Sequence, residues 1–553
     1  MTRLAIVGID GGTLQVIRPM IAAGELPHIA RVMREGVSGE LESERPPITP
    51  PAWASLLTGL NPGRHGIYHF VRRELGTYGV KLVDSRNFAG KDILSLLGRR
   101  GWSASSFGTP MTYPPFPVRG GYMVAGIPVP LEGDSMCWPR EMKAELDAFL
   151  GRPYRPDVDF APYEGDVEKP ADDLERYGRL RDELFQIERD RLRAAREWLR
   201  RKPTDFYINV VTCTDRCQHY FWKFQDRRHP GWSEEGERLY GGVIRDAYRL
   251  ADEMVGMVRE EVGDAVPIVV LSDHGAGTFT RDFFVNRWLE EQGLLVRRRV
   301  PYFTWGRTHL ADALGRVGLR SVGRLLGPLG RVPIWRPKVK RVADARDIVW
   351  EKTRAFTTMY GICINVKGRE PKGVIEPGAE YERTVADIES RLGALAGPDG
   401  KPIVDRVLVS NQFYTGPHAG EAPDILYGLD GLACLPTEFW DSPVLFKNRR
   451  TAGISGQHRF EGMFAMAGPG IPPGGTVTGM HIQDTTPTLL HAVGEAVPRW
   501  MEGRIRTEIL GGAAEPEWDE SPEPAAGLLG AEAFTADETA AIEESLRGLG
   551  YLQ

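Results

Sequence analysis

An α/β fold built on a central, mostly parallel sheet is what the sequence predicts, and three short apolar runs predict it: Leu4 to Ile9, Phe206 to Val211 and Val266 to Leu271. Continuous apolar runs of this length, rich in β-branched residues, suit strands buried on both faces. The segments between them are long enough for crossover helices. Glu175 to Arg201, charged but with apolar residues at helical spacing, is one of these. Each run is followed at once, or within a few residues, by acids and histidines: Asp10, then Asp215 with His219, then Asp273 with His274. In open α/β sheets ligands gather at the carboxyl ends of the strands, so three strands delivering polar residues there predict one shared site.

The chain has 553 residues, 42% hydrophobic and 26% charged, which excludes disordered, collagen-like and coiled-coil classes. Lys and Arg number 69 against 75 Asp and Glu, a net charge of −6, which argues against a nucleic-acid binder that relies on overall positive charge. Five cysteines, Cys137, Cys213, Cys217, Cys363 and Cys434, are odd in number and scattered, so neither a disulfide framework nor a thiolate zinc site is suggested. Only three residues precede the first apolar run, with no signal-peptide pattern, and no uncharged apolar stretch reaches membrane-spanning length. These features predict a soluble, cytoplasmic protein.

Composition shifts twice along the chain. Residues 297–341 hold twelve Lys or Arg against one acid, Asp312, with Leu310, Leu314 and Val317 at helical spacing. This basic amphipathic stretch reads as an inserted lobe, either a solvated helical cap or a contact for an anionic membrane surface or polyanion. From Glu515 to Glu544 there are ten acids and no base. The first half of that segment predicts a flexible acidic linker. Thr535 and Glu538 then form a capping-box pattern opening a short helix with Ile542, Leu546 and Leu549 on its apolar side. The organisation expected is a body of residues 1–512, whose halves 1–295 and 342–512 flank the lobe 296–341, followed by a tail, 513–553.

Several residues are candidates for chemistry. Asp215 and His219, spaced DxxxH, point the same way on a helical turn and can hold one metal ion, though the same spacing serves as a surface pair or a cap. Asp273-His274-Gly275 sets two potential ligands at a strand end, where a structural pair at a turn is the alternative. His458, in SGQHRFEG, is carried by a glycine-flanked loop, and Asp10, in GIDGGT, sits between glycines after a strand. GIDGGT fails the dinucleotide-binding GxGxxG spacing and is similar to the first phosphate motif of sugar kinases, without their later motifs. Thr49 precedes Pro50 and a helical run, Ala52 to Leu57, which places it at an N-cap. There its hydroxyl, with the amides of Ala52 and Trp53, faces the end of a helix that favours a phosphoryl group. A threonine is a poor nucleophile at neutral pH unless a metal lowers its pKa.

In this order, Asp10, Thr49 with TGLNPGRHGI after it, Asp215 with His219, Asp273-His274 and His458 resemble the alkaline phosphatase superfamily, in particular its type I phosphodiesterase and nucleotide pyrophosphatase branch. The resemblance spans residue 1 to about 510. It implies an alkaline-phosphatase-like central sheet sandwiched by helices, with the basic stretch as an inserted helical lobe. It also implies two divalent metal ions, one held by Asp215, His219 and His458, the other by Asp10, Asp273, His274 and the Thr49 hydroxyl. Zinc suits this nitrogen and oxygen set, with manganese and iron as alternatives. Thr49 would attack phosphorus and form a phospho-threonine intermediate on a small phosphate ester substrate, a phosphodiester or pyrophosphate.

The pattern departs from that branch in one place: HGIYHF puts Phe70 where nucleotide pyrophosphatases carry an asparagine that contacts phosphate, with Asn61 and His69 as candidate substitutes. A sulfatase is disfavoured, because the CxPxR nucleophile motif is missing. A phosphomonoesterase or phosphomutase of the same superfamily is the neighbouring expectation, and a membrane-surface or polyanion-binding protein with structural metals is the expectation from another class. His65, His481 and His491 are expected in supporting positions, not as ligands.

Overall fold

The three apolar runs lie side by side at the middle of a nine-stranded sheet. The computed structural model describes residues 2–163, 173–298, 347–439, 442, 444–449, 453–511, 515–525 and 534–548. The strands of this sheet are β1 (Leu4–Ile9), β2 (Val37–Glu42), β3 (Ala104–Thr109), β4 (Tyr122–Ala125), β5 (Cys137–Trp138), β6 (Phe206–Val211) and β7 (Ile268–Leu271). A two-stranded ribbon, β8 (Gly275–Thr278) with β9 (Gly456–Arg459), follows, and β10 (Glu461–Ala467) and β11 (Gly475–His481) complete the large sheet. Its spatial order is β11-β2-β10-β7-β1-β6-β3-β4-β5. The central block β7-β1-β6-β3-β4 is parallel throughout, and β10 runs antiparallel to both β2 and β7.

Every residue of β1 and β6 is buried, as two-sided cover requires. Four helices matter for the site: α1 (Thr49–Thr58), α2 (Leu174–Arg201), α3 (Cys213–Gln225) and α4 (Val243–Val262). α4 packs on β1 and on both α2 and α3. α1 is buried along its whole length. It can lie close to β1 because Gly8 has no side chain: a Cβ there would stand 2.5 Å from the Trp53 ring.

A second, seven-stranded sheet is built from Arg281–Phe284, Ala355–Thr358, Gly361–Ile364, Val404–Val409, Ile425–Leu429, Cys434–Thr437 and Phe446–Asn448. It has its own apolar core around Phe283, Trp288, Ile364 and Ile388. The basic stretch 296–341 lies outside the described residues apart from its first three.

The acidic segment differs from the flexible linker expected. Residues 515–525 lie along the body: Glu523 pairs with Lys91 at 2.6 Å and with Arg64, and Asp519 pairs with Arg100 at 2.7 Å. Trp518 and Asp519 also form a short ladder with Val497 and Pro498. Three cations distant in sequence hold the acids in place. The capping box forms as expected, the Glu538 amide donating to Thr535 Oγ1 at 3.1 Å and Glu538 Oε2 accepting from the Thr535 amide at 2.8 Å. It opens the helix Ala536–Gly548, and Ile542 and Leu546 are buried in the main core. Leu549 lies outside the described residues.

Candidate active site

Because β7, β1 and β6 are adjacent and parallel, their carboxyl ends open on one edge, and Asp10, Asp215 and Asp273 arrive there together. Asp215 and His219 share a face of α3, with Asp215 Oδ1 3.3 Å from His219 Nε2. His458 comes from the ribbon, where Ala276 of β8, two residues beyond His274, pairs with it. It therefore sits on a strand and not on the loop expected, held by ladder bonds. The glycine before it has a different purpose: a Cβ at Gly456 would run into the Gln218 carbonyl of α3, so only glycine lets β9 approach that helix.

Thr49 also differs in detail. It is the first residue of α1, and Ile48 occupies the cap position. The Ala52 amide bonds to the Ile48 carbonyl and is not left open for a ligand. The Thr49 hydroxyl turns instead toward the strand ends and lies 3.3 Å from His274 Nε2, with both side chains fully buried.

Two convergent groups result. In one, Asp215, His219 and His458 each offer a ligand atom, all within 4.8 Å of one another; in the other, Asp10, Asp215 and His274 do so. Asp273 Oδ2 stands 3.1 Å from His274 Nε2 while its Oδ1 accepts the Gly11 amide. All seven residues singled out from the sequence are thus gathered into one buried cluster.

The hydrogen bonds aim the ligand atoms. His219 Nδ1 lies 2.9 Å from the Gly456 carbonyl and His274 Nδ1 3.0 Å from the Gly275 carbonyl. A carbonyl only accepts, so Nδ1 carries a hydrogen in both rings, and in His274, which burial keeps neutral, Nε2 keeps a lone pair. The Thr49 hydroxyl then donates to His274 Nε2. His219 and His458 face each other Nε2 to Nε2 at 3.0 Å, a contact that needs a proton or a cation between the rings.

Burial and the neighbouring charges set the electrostatics. Burial pushes Asp10 and Asp273 well above the usual carboxylate range, and the charge of Asp215 adds to this. Asp215, although buried, is held well below that range by His219 and His458. Burial lowers His274 to about 4 and holds His458 well below its ordinary value, so both rings stay neutral. Asp10 Oδ1 and Asp273 Oδ2 are buried with no hydrogen-bond partner among the described residues. Three carboxylates, three imidazoles and two such oxygens in one buried pocket fit a divalent cation, which would reverse the cost of burying the acids.

Two further residues escaped the sequence reading. Arg216 is fully buried and donates to Asp215 Oδ2 at 3.0 Å and to Asp157 Oδ2 at 2.9 Å. It thereby occupies the Asp215 oxygen turned away from the histidines. Arg216 stands inside the DxxxH spacing, a visible signal; Asp157 has none.

Among the substitutes for the missing asparagine, Asn61 caps the short helix Pro62–His65 and bonds to Thr415 and Glu502. Phe70 is a core residue. His69 is buried near His458, edge-on to Tyr360 with ring centres 5.1 Å apart. His65 bonds Ser55 and the Ile67 amide, and His481 caps a turn, in keeping with supporting positions.

The sequence model for type I phosphodiesterase / nucleotide pyrophosphatase matches residues 4–418. The chain belongs to this family. The match contains six of the seven clustered residues, and the fold adds His458 from beyond its end. Among solved structures, this phosphodiesterase-family chain is similar to phosphonoacetate hydrolase from Sinorhizobium meliloti 1021 bound to phosphonoformate, at 14% identity and a TM-score of 0.49, over 89% of this chain and 95% of that one. It is also similar to murine ectonucleotide pyrophosphatase / phosphodiesterase 5, at 14% identity and a TM-score of 0.47, over 90% and 96%. A comparison with curated protein sequences gives no match.

Proposed function

We propose that Thr49 is the nucleophile of this enzyme and that it attacks phosphorus in line, giving a phospho-threonine that water hydrolyses. Family membership makes the protein a phosphoric ester hydrolase of the phosphodiesterase and pyrophosphatase type. The observation that carries the finer reading is the Thr49 hydroxyl, buried at the start of α1 and 3.3 Å from a neutral His274 within a cluster of ligand atoms. Asp215, His219 and His458 would hold one divalent ion, and Asp10, Asp273, His274 and Thr49 a second. Zinc suits this donor set best, with manganese or iron as alternatives, and such a pair supplies charge for the attacking and leaving oxygens and the acidity that makes threonine a nucleophile.

The chain's own groups do the rest. His219 and His274, fixed through their Nδ1 hydrogens, keep the Nε2 atoms on target, and Arg216 orients Asp215. Thr49 gives up its hydroxyl proton and forms the new P–O bond while the bond to the departing oxygen breaks on the opposite side and that oxygen takes up a proton; water then cleaves the phospho-threonine and restores the hydroxyl. A buried Phe70 offers no amide to a phosphate oxygen, which supports substrates other than nucleotides. Five buried, unpaired cysteines support a reducing, cytoplasmic compartment. Thr49→Ala tests the assignment: zinc content by mass spectrometry should stay close to wild type while kcat on a chromogenic diester falls at least a thousandfold. Near wild-type turnover would sink the mechanism.

A further inference from the structure

A partly open cavity of about 60 Å³ lies between the second sheet and the segment 45–48 that leads into α1, beside the cluster. Ile48, the residue before Thr49, and His458 line it from one side, and Tyr360, Arg406, Leu408 and Leu426 from the other. The strand register explains the second wall. Arg406 pairs with Gly428 and Leu408 with Leu426, so these side chains share the face turned to the cleft. Val407 and Tyr427, paired with each other, join the core of the second sheet, and Tyr427 also reaches the cavity lining. No acidic side chain lines the cavity among the described residues, and the Arg406 guanidinium lies over the Phe460 ring, 4.6 Å from its centre.

The tip that carries Tyr360 is unusual. Thr358 pairs with Gly361 across a two-residue turn, and both turn residues, Met359 and Tyr360, have positive φ, 50° and 62°. Turns of this kind favour Asn-Gly, and two bulky residues there are strained. The strain sets the Tyr360 ring at the cavity wall and against His69.

We infer that this cavity is the subsite for the ester group that stays on phosphorus, and that it takes a compact aliphatic group and turns away a nucleoside. The inference rests on Thr49 as nucleophile. In an in-line displacement the departing oxygen leaves opposite Thr49 and the retained ester oxygen is equatorial, beside the axis of attack, so a cavity lined by Ile48, next to the nucleophile, is within reach of the retained group and turned away from the departing one. Size sets the class: an apolar cavity that admits benzene measures about 150 Å³, so this one suits a short alkyl chain and not a ring. Leu408, Leu426 and Ile48 supply apolar walls, and the Arg406 cation in the lining suits an ester of an anionic phosphate.

The zinc-loaded enzyme is assayed with 4-nitrophenyl phosphodiesters whose second ester group is methyl, propyl or thymidine 5′-yl. From methyl to propyl kcat/KM should rise about tenfold, the effect of burying two methylenes. From propyl to thymidylyl it should fall at least tenfold, and a thymidylyl ester equal to or better than the propyl ester overturns the subsite. Met359→Asn/Tyr360→Gly gives the turn the residues its φ values favour but removes two inward-packed side chains, Met359 lying in an apolar cluster with Tyr68 and Tyr414, so its thermal midpoint should fall while the ratio of rates, which does not depend on the fraction folded, still reads the wall. In that variant the propyl-to-methyl ratio should drop below about threefold, and an unchanged ratio removes Tyr360 from the wall. Calorimetry with methylphosphonate and propylphosphonate probes the cavity without turnover: about tenfold tighter binding of the propyl compound is expected, and equal binding overturns the inference. If wild-type and Thr49→Ala proteins hydrolyse the diesters equally, the nucleophile assignment falls, and the phosphonate titration still decides the subsite.

Discussion

Replacing Arg216 by methionine removes a guanidinium that is 1% exposed and bonds both Asp157 and Asp215. Among the described residues Asp157 then keeps only the amide of Val158. Breaking a buried pair from one side costs about 3–5 kcal/mol, because the remaining charge stays buried without compensation. For 553 residues unfolding as one unit, with about 2.1 cal/mol/K of entropy per residue, this lowers the thermal midpoint by about 3–4 °C. Arg216 also fixes which oxygen Asp215 presents to His219 and His458, so zinc affinity should fall about 10–100-fold. Scanning calorimetry with chelator and with zinc measures the first effect, and competition with a chromogenic chelator the second. Arg216→Met/Asp157→Asn removes the stranded charge and should recover at least half of the midpoint shift without recovering zinc affinity. A shift below about 1 °C, or no recovery in the double variant, would show that Arg216 does not neutralise Asp157 and Asp215.

Gly456→Ala drives a Cβ into the Gln218 carbonyl and should displace His458, lowering zinc affinity at least tenfold, whereas Gly393→Ala, in open space on an outer helix, should leave it unchanged; equal affinities would contradict the packing argument. Burial holds His65 at about 3, against 6.5 for an ordinary histidine. Between those pH values the unfolded chain binds a proton that the folded chain refuses, so stability falls as pH drops below 6.5, by roughly 1.4 kcal/mol per pH unit. Thermal midpoints at pH 7, 6 and 5 should show this decline, and His65→Gln should make it shallower; parallel slopes would exclude the contribution.

The part of the fold legible in the sequence was the part with uniform burial. β1 and β6 are apolar at every position but one, and their boundaries coincide with the runs read from composition. The second sheet was not legible, because its strands are short and Val404–Val409 and Phe446–Asn448 are only partly buried, which leaves neither a continuous nor an alternating apolar pattern. Thr49 was displaced from cap to first helical turn because Pro50 and Pro51 suit the positions just after it as well as the start of the helix. Of the site, the residues with motif spacing were recognisable. Asp157 was not, since it lies 59 residues from Arg216 and only the fold brings them together. The acidic segment looked flexible because its partners, Arg64, Lys91 and Arg100, are more than 400 residues away.

Rapid acid quenching of the zinc-loaded enzyme during turnover of a phosphodiester, followed by peptide mass spectrometry, tests the central claim most directly. The peptide containing Thr49 should carry the phosphoryl group with its retained ester, localised to the threonine by fragmentation, and Thr49→Ser should carry it at the same position. Turnover at full rate with no adduct on Thr49, and with inversion at a chiral phosphorus, would contradict it.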